Sequence, residues 1–222
     1  MRTGTGRIVE LLFEDGGLYA RIACDESLVP RPGQYLLASH GSDSLLPVPI
    51  YYTDLALQGF IGSAYEAWKP GDELALRGPL GRGFSLPVSA RKVGLVAFDG
   101  PPARLKGLIP PALQQNASVV LLCDASADHL PDEVEIQPLS ALDEILRWSD
   151  YLAFDVEREN LKNFMETHTG QKTRSLLSAA QILVHSPMPC GGLADCGVCA
   201  VTAKSDWKLV CKEGPVFDLA EL

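Results

Sequence analysis

Residues 188–214 read MPCGGLADCGVCAVTAKSDWKLVCKEG and set Cys190, Cys196, Cys199 and Cys211 in the order C-x5-C-x2-C-x11-C. Four thiolates within 22 residues suit a 2Fe-2S core, which takes two thiolates per iron and a ligand loop that wraps it closely, with backbone N–H groups turned toward the sulfurs. Gly191, Gly192 and Gly197 permit that wrapping, because a residue without Cβ reaches positive φ and lets the backbone come near. The first gap is one residue longer than in the plant-type C-x4-C-x2-C plan, while the C-x2-C pair and the distant fourth cysteine are the same. Structural zinc also takes four cysteines, but usually through two short C-x2-C knuckles, and here there is one such pair. Two disulfides would require an oxidising compartment. A Rieske-type site would replace two thiolates by histidines, and His185 has no second histidine near it; it reads as a strand-end residue. Cys24 and Cys123 lie inside apolar strand patterns and read as buried thiols packing like small hydrophobes.

Upstream of this segment the chain has the composition of a soluble, cored protein. Its 222 residues are 46% hydrophobic and 21% charged, enough for one large domain or two ordinary ones. With 19 basic and 28 acidic residues the net charge is -9, which repels phosphate backbones and argues against nucleic-acid binding. Residues 1–20 interrupt every apolar run with Glu, Asp or Gly, so they form neither a signal-peptide core nor a membrane span. The expected location is the cytoplasm, where clustered cysteines point to a metal or redox site rather than to disulfides.

Three textures follow one another along the chain. Residues 6–88 hold short strand-like runs, GRIVELLF, LYARIACD, QYLLAS, VPIYYT and DELALRG, separated by DGG, PRPG and KPGD. That spacing predicts an antiparallel barrel or sandwich. From Arg91 the runs KVGLVAF and SVVLLCD are continuously apolar, as in parallel strands buried on both faces. Between them ARLKGLIPPALQQN reads as helix, broken or restarted at Pro110 and Pro111. Residues 141–167 carry apolar positions at helical spacing, and SLLSAAQ reads as a short helix before the strand ILVH. The expected fold is α+β and multidomain: an N-terminal antiparallel β-barrel over 1–89, a small Rossmann-like α/β layer over 90–186, and a C-terminal 2Fe-2S binding segment over 187–222.

With MPCGGLADCGVCAV and KLVCKEGPVFDLAEL on the page, the tail resembles the iron–sulfur end of dihydroorotate dehydrogenase electron-transfer subunits, which are ferredoxin-reductase-like proteins. The resemblance extends to PRPGQYLLA at 30–38 and KPGDELALRGPLGRGF at 69–84. It implies an FAD-binding barrel, an α/β layer that receives NAD(H), a terminal cluster, and a hetero-oligomer with a catalytic flavoprotein subunit in pyrimidine biosynthesis. The family's Arg-Pro-x-Ser strand, with Arg on the flavin phosphate and Ser by the ring, corresponds here to Val48-Pro49-Ile50-Tyr51, so the cation and the small hydroxyl are both missing. Tyr52-Thr53 offers an aromatic and hydroxyl pair one register on. The family's Gly-x-Gly-Thr turn, which feeds a helix, corresponds to Gly59-Phe60-Ile61-Gly62-Ser63. Flavin contacts implied by the resemblance therefore fall on Tyr51, Tyr52, Gly59 and Gly62; ordinary strand residues are the plain alternative for the two tyrosines.

The Gly-rich turn that would cradle a nicotinamide dinucleotide after VGLVAF reads Asp99-Gly100-Pro101-Pro102-Ala103-Arg104. Two prolines remove N–H donors from it and Asp99 adds negative charge, which argues against NAD(H) binding. Arg104 reads as a surface residue that could compensate in part, and Asp124 is a weak candidate for a ribose contact. Three functions stay open: an electron-transfer subunit with 2Fe-2S and FAD, a reduced relay or docking subunit without FAD or NAD binding, and a zinc-binding scaffold. No catalytic residue is assigned, since four scattered histidines make no acid–base or nucleophilic constellation. The chain reads as an oxidoreductase component rather than a self-sufficient catalyst.

Overall fold

The computed structural model describes residues 2–41, 46–168, 179–204 and 206–222. Strands β1 (Arg2–Glu14), β2 (Gly17–Cys24), β3 (Tyr35–His40), β4 (Val48–Ala56), β5 (Gly59–Ser63) and β6 (Glu73–Leu80) close into a barrel in the order β1-β2-β5-β4-β3-β6. The alternation that marks these runs in sequence is the alternation between the barrel interior and its outer face. Ile8, Ile22, Leu36, Ile50, Phe60, Leu74 and Leu76 fill the interior. The sixth strand, β5, corrects the expectation of a glycine turn feeding a helix. A Cβ at Gly59 would collide with the Ile22 carbonyl, and one at Gly62 would stand 2.6 Å from Ile50 Cγ2. These glycines thus sit where neighbouring strands come too close for a side chain.

The second layer is a six-stranded sheet in the order β14 (Val216–Asp218), β11 (Ala180–His185), β10 (Tyr151–Glu157), β7 (Lys92–Ala97), β8 (Ser118–Leu122), β9 (Val134–Gln137). In chain order its elements are β7, α1 (Ala103–Lys106), α2 (Ile109–Gln114), β8, β9, α3 (Leu142–Trp148), β10, α4 (Leu161–His168) and β11. The helical stretch does restart at the prolines: α2 begins at Ile109 with Pro110 and Pro111 in its first turn, where the missing N–H groups would have had no helical partner. Residues 141–167 are not continuously helical. Tyr151–Glu157 forms β10 at the middle of the sheet, parallel to β7 and β11. Its run YLAFDV is buried on both faces, and apolar periodicity alone does not separate such a strand from a buried helix. Of the helix expected at SLLSAAQ, residues 175–178 lie outside the described residues and Ala180 and Gln181 open β11.

Helices α1 and α2 cover one face of this sheet through Leu105, Ile109 and Ala112, and α3 and α4 cover the other through Leu142, Ile145, Leu146, Leu161 and Phe164. The chain ends in β12 (Ala200–Thr202), β13 (Trp207–Leu209), α5 (Val210–Glu213) and β14 (Val216–Asp218). Strand β14 pairs antiparallel with β11, so the tail completes the sheet. The barrel meets the tail at Arg82. Its backbone N–H donates to Gly214 O at 2.6 Å, and its guanidinium pairs with Asp218 at 2.5 Å and Glu221 at 3.2 Å.

Two stability predictions follow from this packing. Phe154 in β10 is 1% exposed, so Phe154→Ala is expected to lose about 3 to 5 kcal/mol of unfolding free energy in a denaturant titration; a loss under about 1 kcal/mol would contradict the core placement. The second concerns acid. Burial pushes the Asp218 carboxyl up, but Gln181 and Arg82 outweigh it and hold the group below its ordinary range; Lys208 and Arg82 lower Glu221 in the same way. Carboxyls depressed in the folded state stabilise it above their ordinary pKa, and that contribution is lost as pH falls through the depressed values. The gap in melting temperature between the parent chain and Arg82→Ala is therefore expected to hold above about pH 5 and to narrow below about pH 4. It is a small gap, since these pairs are exposed and screened; a gap that widens in acid would contradict the assignment.

Candidate metal centre

The four cysteines come together at the seam between barrel and tail. Cys190 is half-buried and Cys196 exposed on the loop after β11, while Cys199, before β12, and Cys211, in α5, are buried. Cys196 lies beside Cys190 and Cys199 beside Cys211, each pair close enough for one thiol to shift the other's pKa. Among the described residues no three His, Cys, Asp or Glu side chains converge as a single-ion site requires. The arrangement is instead two thiol pairs, which corresponds to two thiolates on each iron of a binuclear core.

Local backbone geometry makes the pairs. Gly191 and Gly192 have φ of 59° and 71°, the left-handed region that glycine enters without cost, and they fold the loop back after Cys190. At Gly191 a Cβ would also stand 2.7 Å from Pro47 Cγ, so the loop lies flat against the barrel. Arg77 of β6 holds it there, donating from Nη2 to Gly191 O at 2.8 Å. The hairpin β12–β13 returns the chain, and Val210 N donates to Cys199 O at 3.0 Å, which places Cys211 beside Cys199. The Tyr35 hydroxyl donates to Cys211 O at 3.0 Å from a fully buried position on β3.

The N–H groups that an iron–sulfur core requires are in place. Burial pushes the Cys190 thiol up, but the Cys196 thiol and the N–H groups of Asp195, Cys196 and Leu193 bring it down to about 7. For Cys211 burial dominates, joined by the neighbouring thiols Cys199 and Cys190, and the group is pushed up to about 12, against a downward pull from the Ala194 N–H. Thiolates paired in this way repel one another unless a cationic core sits beside them, and coordination deprotonates a thiol outright. Donor set and N–H cradle together fit a 2Fe-2S core. Cys24 and Cys123 stand apart from it. Burial pushes the Cys24 thiol up to about 11 and raises Cys123 too, as for inert packed thiols, although Cys24 is only half-buried.

The flavin candidates lie elsewhere in the fold. Tyr51 and Tyr52 on β4 are 2% and 4% exposed, and Gly59 and Gly62 belong to β5. Tyr52 points into the barrel core beside Phe60. Tyr51 faces the sheet, its ring 5.0 Å from that of His185 and 5.6 Å from that of Tyr35. His185 does end β11, and its Nδ1 lies 2.7 Å from Glu157 Oε2. Arg104 is not a surface residue. Its side chain is 19% exposed, and it reaches Asp155 at 2.8 Å and Glu157 at 3.0 Å, held charged by the two carboxylates. Asp99 accepts from Glu157 N and from Asn160 Nδ2, and Asp124 accepts from Leu139 N. Tyr51, His185, Glu157, Arg104 and Asp155 thus touch in series across the place where barrel and sheet meet. This arrangement does not fit an interposed flavin ring. Sequence reasoning missed this network and the supports at Tyr35 and Arg77, whose partners lie 51 and 53, 176 and 114 residues away.

Comparison with known proteins agrees with the site. Residues 185–222 match the iron-sulfur cluster binding domain of dihydroorotate dehydrogenase B. Over 97% of its length the chain is 25% identical to the electron transfer subunit of dihydroorotate dehydrogenase B (NAD(+)) from Clostridium acetobutylicum, covering 95% of that protein. Among solved structures it superposes on an NADH-dependent reduced ferredoxin-NADP oxidoreductase with a TM-score of 0.71 at 18% identity, covering 97% of this chain and 88% of that one. It also superposes on a ferredoxin NADP+ reductase from Neisseria gonorrhoeae with bound FAD and NADP, with a TM-score of 0.59 at 11% identity, covering 83% and 99%. The chain is thus similar along its length to a dihydroorotate dehydrogenase B electron transfer subunit, has a ferredoxin-reductase-like fold, and ends in a segment that matches an iron-sulfur cluster binding domain.

Proposed function

We propose that this chain is an electron-transfer subunit that holds a 2Fe-2S cluster on Cys190, Cys196, Cys199 and Cys211 and relays electrons to or from a catalytic flavoprotein subunit of the dihydroorotate dehydrogenase kind. The observation that carries the reading is the pair of thiol pairs, with backbone N–H groups of Leu193, Ala194, Asp195 and Cys196 turned toward their sulfurs. When bound, the cluster supplies one-electron transfer. The chain's own residues do the rest. Arg77 and Pro47 fix the loop against the barrel, and Tyr35 and Val210 fix the second pair. Cys199 and Cys211 are 2% and 8% exposed while Cys196 is open to solvent, so the Cys196 side is the edge offered to a partner.

The assembly we infer is a hetero-oligomer of the cytoplasm. No helix among the described residues is long and apolar enough to cross a membrane, and a cluster held partly by an exposed thiol is best kept in a reducing compartment. Its products feed pyrimidine biosynthesis if the partner is the one carried by the relative of similar length.

Anaerobic purification is expected to give a red-brown protein with about two irons per chain, bleached by dithionite. One zinc per chain and no colour would overturn the reading in favour of a scaffold. Cys199→Ser is expected to lose most of the iron and the visible spectrum while Cys123→Ser keeps both; full iron content in Cys199→Ser would remove that residue from the ligand set.

A further inference from the structure

In an open parallel sheet, ligands bind in the crevice beyond the carboxyl ends of the strands, at the point where the strand order reverses. Here the chain runs from β7 outward through β8 and β9, then returns to place β10 on the opposite side of β7. The reversal lies between β7 and β10. The residues at that point are Asp99 after β7, Asp155 and Glu157 at the end of β10, and His185 at the end of the neighbouring β11.

Each of these groups is already engaged within the chain. Arg104 Nε donates to both oxygens of Asp155, at 3.0 and 2.8 Å, and Nη2 donates to Glu157. Both Glu157 oxygens lie within 2.9 Å of His185 Nδ1, and both Asp99 oxygens accept from β10 or the turn after it. The Tyr51 ring closes the assembly from the barrel side against His185. Tyr51 therefore brings a full, buried aromatic ring to the place where barrel and sheet meet. Its hydroxyl is a buried polar atom without a hydrogen-bond partner, a need that one water satisfies.

Charge and backbone oppose a dinucleotide as well. Asp99, Asp155 and Glu157 outnumber Arg104, so a diphosphate would meet net negative charge at close range. The turn after β7 carries Pro101 and Pro102, which have no N–H to offer, and α1 is a single turn without a side-chain cap. A second clamp keeps barrel and sheet together. Asp15, at the tip of the β1–β2 hairpin, pairs with Lys106 at 2.6 Å and exchanges backbone-to-carboxylate bonds of 2.9 and 2.6 Å with Asp128.

We propose that Tyr51 and the Arg104–Asp155–Glu157–His185 network occupy the nucleotide crevice of this fold, so that the chain binds no flavin and its cluster is its sole redox centre. A cluster held by the four cysteines would supply one-electron transfer between a reduced flavin or iron–sulfur centre on another chain, oxidised by one electron, and a one-electron acceptor, with no bond made or broken. This deepens the relay reading and rests on it for the electron's route.

The test is the redox inventory of the full chain with its cluster. The protein is incubated with excess FAD, passed through a desalting column, and measured for acid-released flavin, iron, and dithionite equivalents. The expected result is flavin far below one per chain and uptake of about one electron per chain. About one FAD per chain, or uptake of about three electrons because a flavin adds two, would overturn the proposal. Iron content decides the relay reading by itself: a flavin-free chain without iron sinks the relay and leaves the filled crevice standing, and an iron-loaded chain with flavin does the reverse.

Discussion

Tyr35 stands with its ring fully buried where three parts of the molecule meet, and its hydroxyl donates to the backbone of Cys211. It belongs to one apolar cluster with Leu37 and Tyr51 of the barrel, Val96, Phe154 and Ile182 of the sheet, and Cys199, Val201, Val210, Cys211 and Phe217 of the tail. The barrel interior and the α1–α2 face of the sheet keep cores of their own, but because this third cluster is shared, displacing the barrel, the sheet or the tail exposes apolar faces of the other two. The position of the second thiol pair is therefore set by barrel packing. Arg82 adds a polar seam alongside, with β14 and Pro215 on its other side.

This joint explains the asymmetry of the metal centre. The pair nearer the shared core, Cys199 and Cys211, is buried because its neighbours are core residues, whereas the loop carrying Cys190 and Cys196 rests on Pro47, Leu37 and Arg77 and leaves Cys196 exposed. One side of the centre is thus fixed and dry and the other is wet. Exposure and N–H donation both act on the potential of an iron–sulfur group, so the loop is where that potential is tuned. Leu193, Val198 and Trp207 are 56%, 42% and 66% exposed in the same segment, leaving apolar surface on the tail around its open edge.

The cysteine pairs proposed as a metal centre stand out in sequence because the chemistry they would use is local: four cysteines, three glycines and their spacing all fall in one segment. Most of the barrel was legible for a similar reason, since period-two alternation and turn residues are short-range signals. The failures have physical causes. GFIGS looks like a phosphate-binding turn because it has two glycines, yet the crowding of β2 and β4 against it demands glycine just as firmly. YLAFDV was lost in a helical stretch because a strand buried on both faces has no period of its own. Arg104 looked like a surface cation because its partners lie about fifty residues on, and nothing near it in sequence announces a buried ion pair.

If the crevice is filled, the retention of a whole barrel and sheet around a cluster needs a reason other than nucleotide binding. The tail supplies it. At 38 residues, 185–222 is below the size at which a chain usually folds without help, and its buried apolar residues share one core with those of barrel and sheet. Even its last strand, β14, pairs with β11 rather than within the tail. The upstream layers therefore work as the scaffold that orders the ligand loop and holds one edge open. A crevice with no ligand to admit is a liability in such a scaffold, since its carboxylates and strand-end N–H groups would be left with water or with nothing. Arg104, His185 and Tyr51 join those groups into a mutually bonded set, and the interface between barrel and sheet becomes a fixed platform for the cluster.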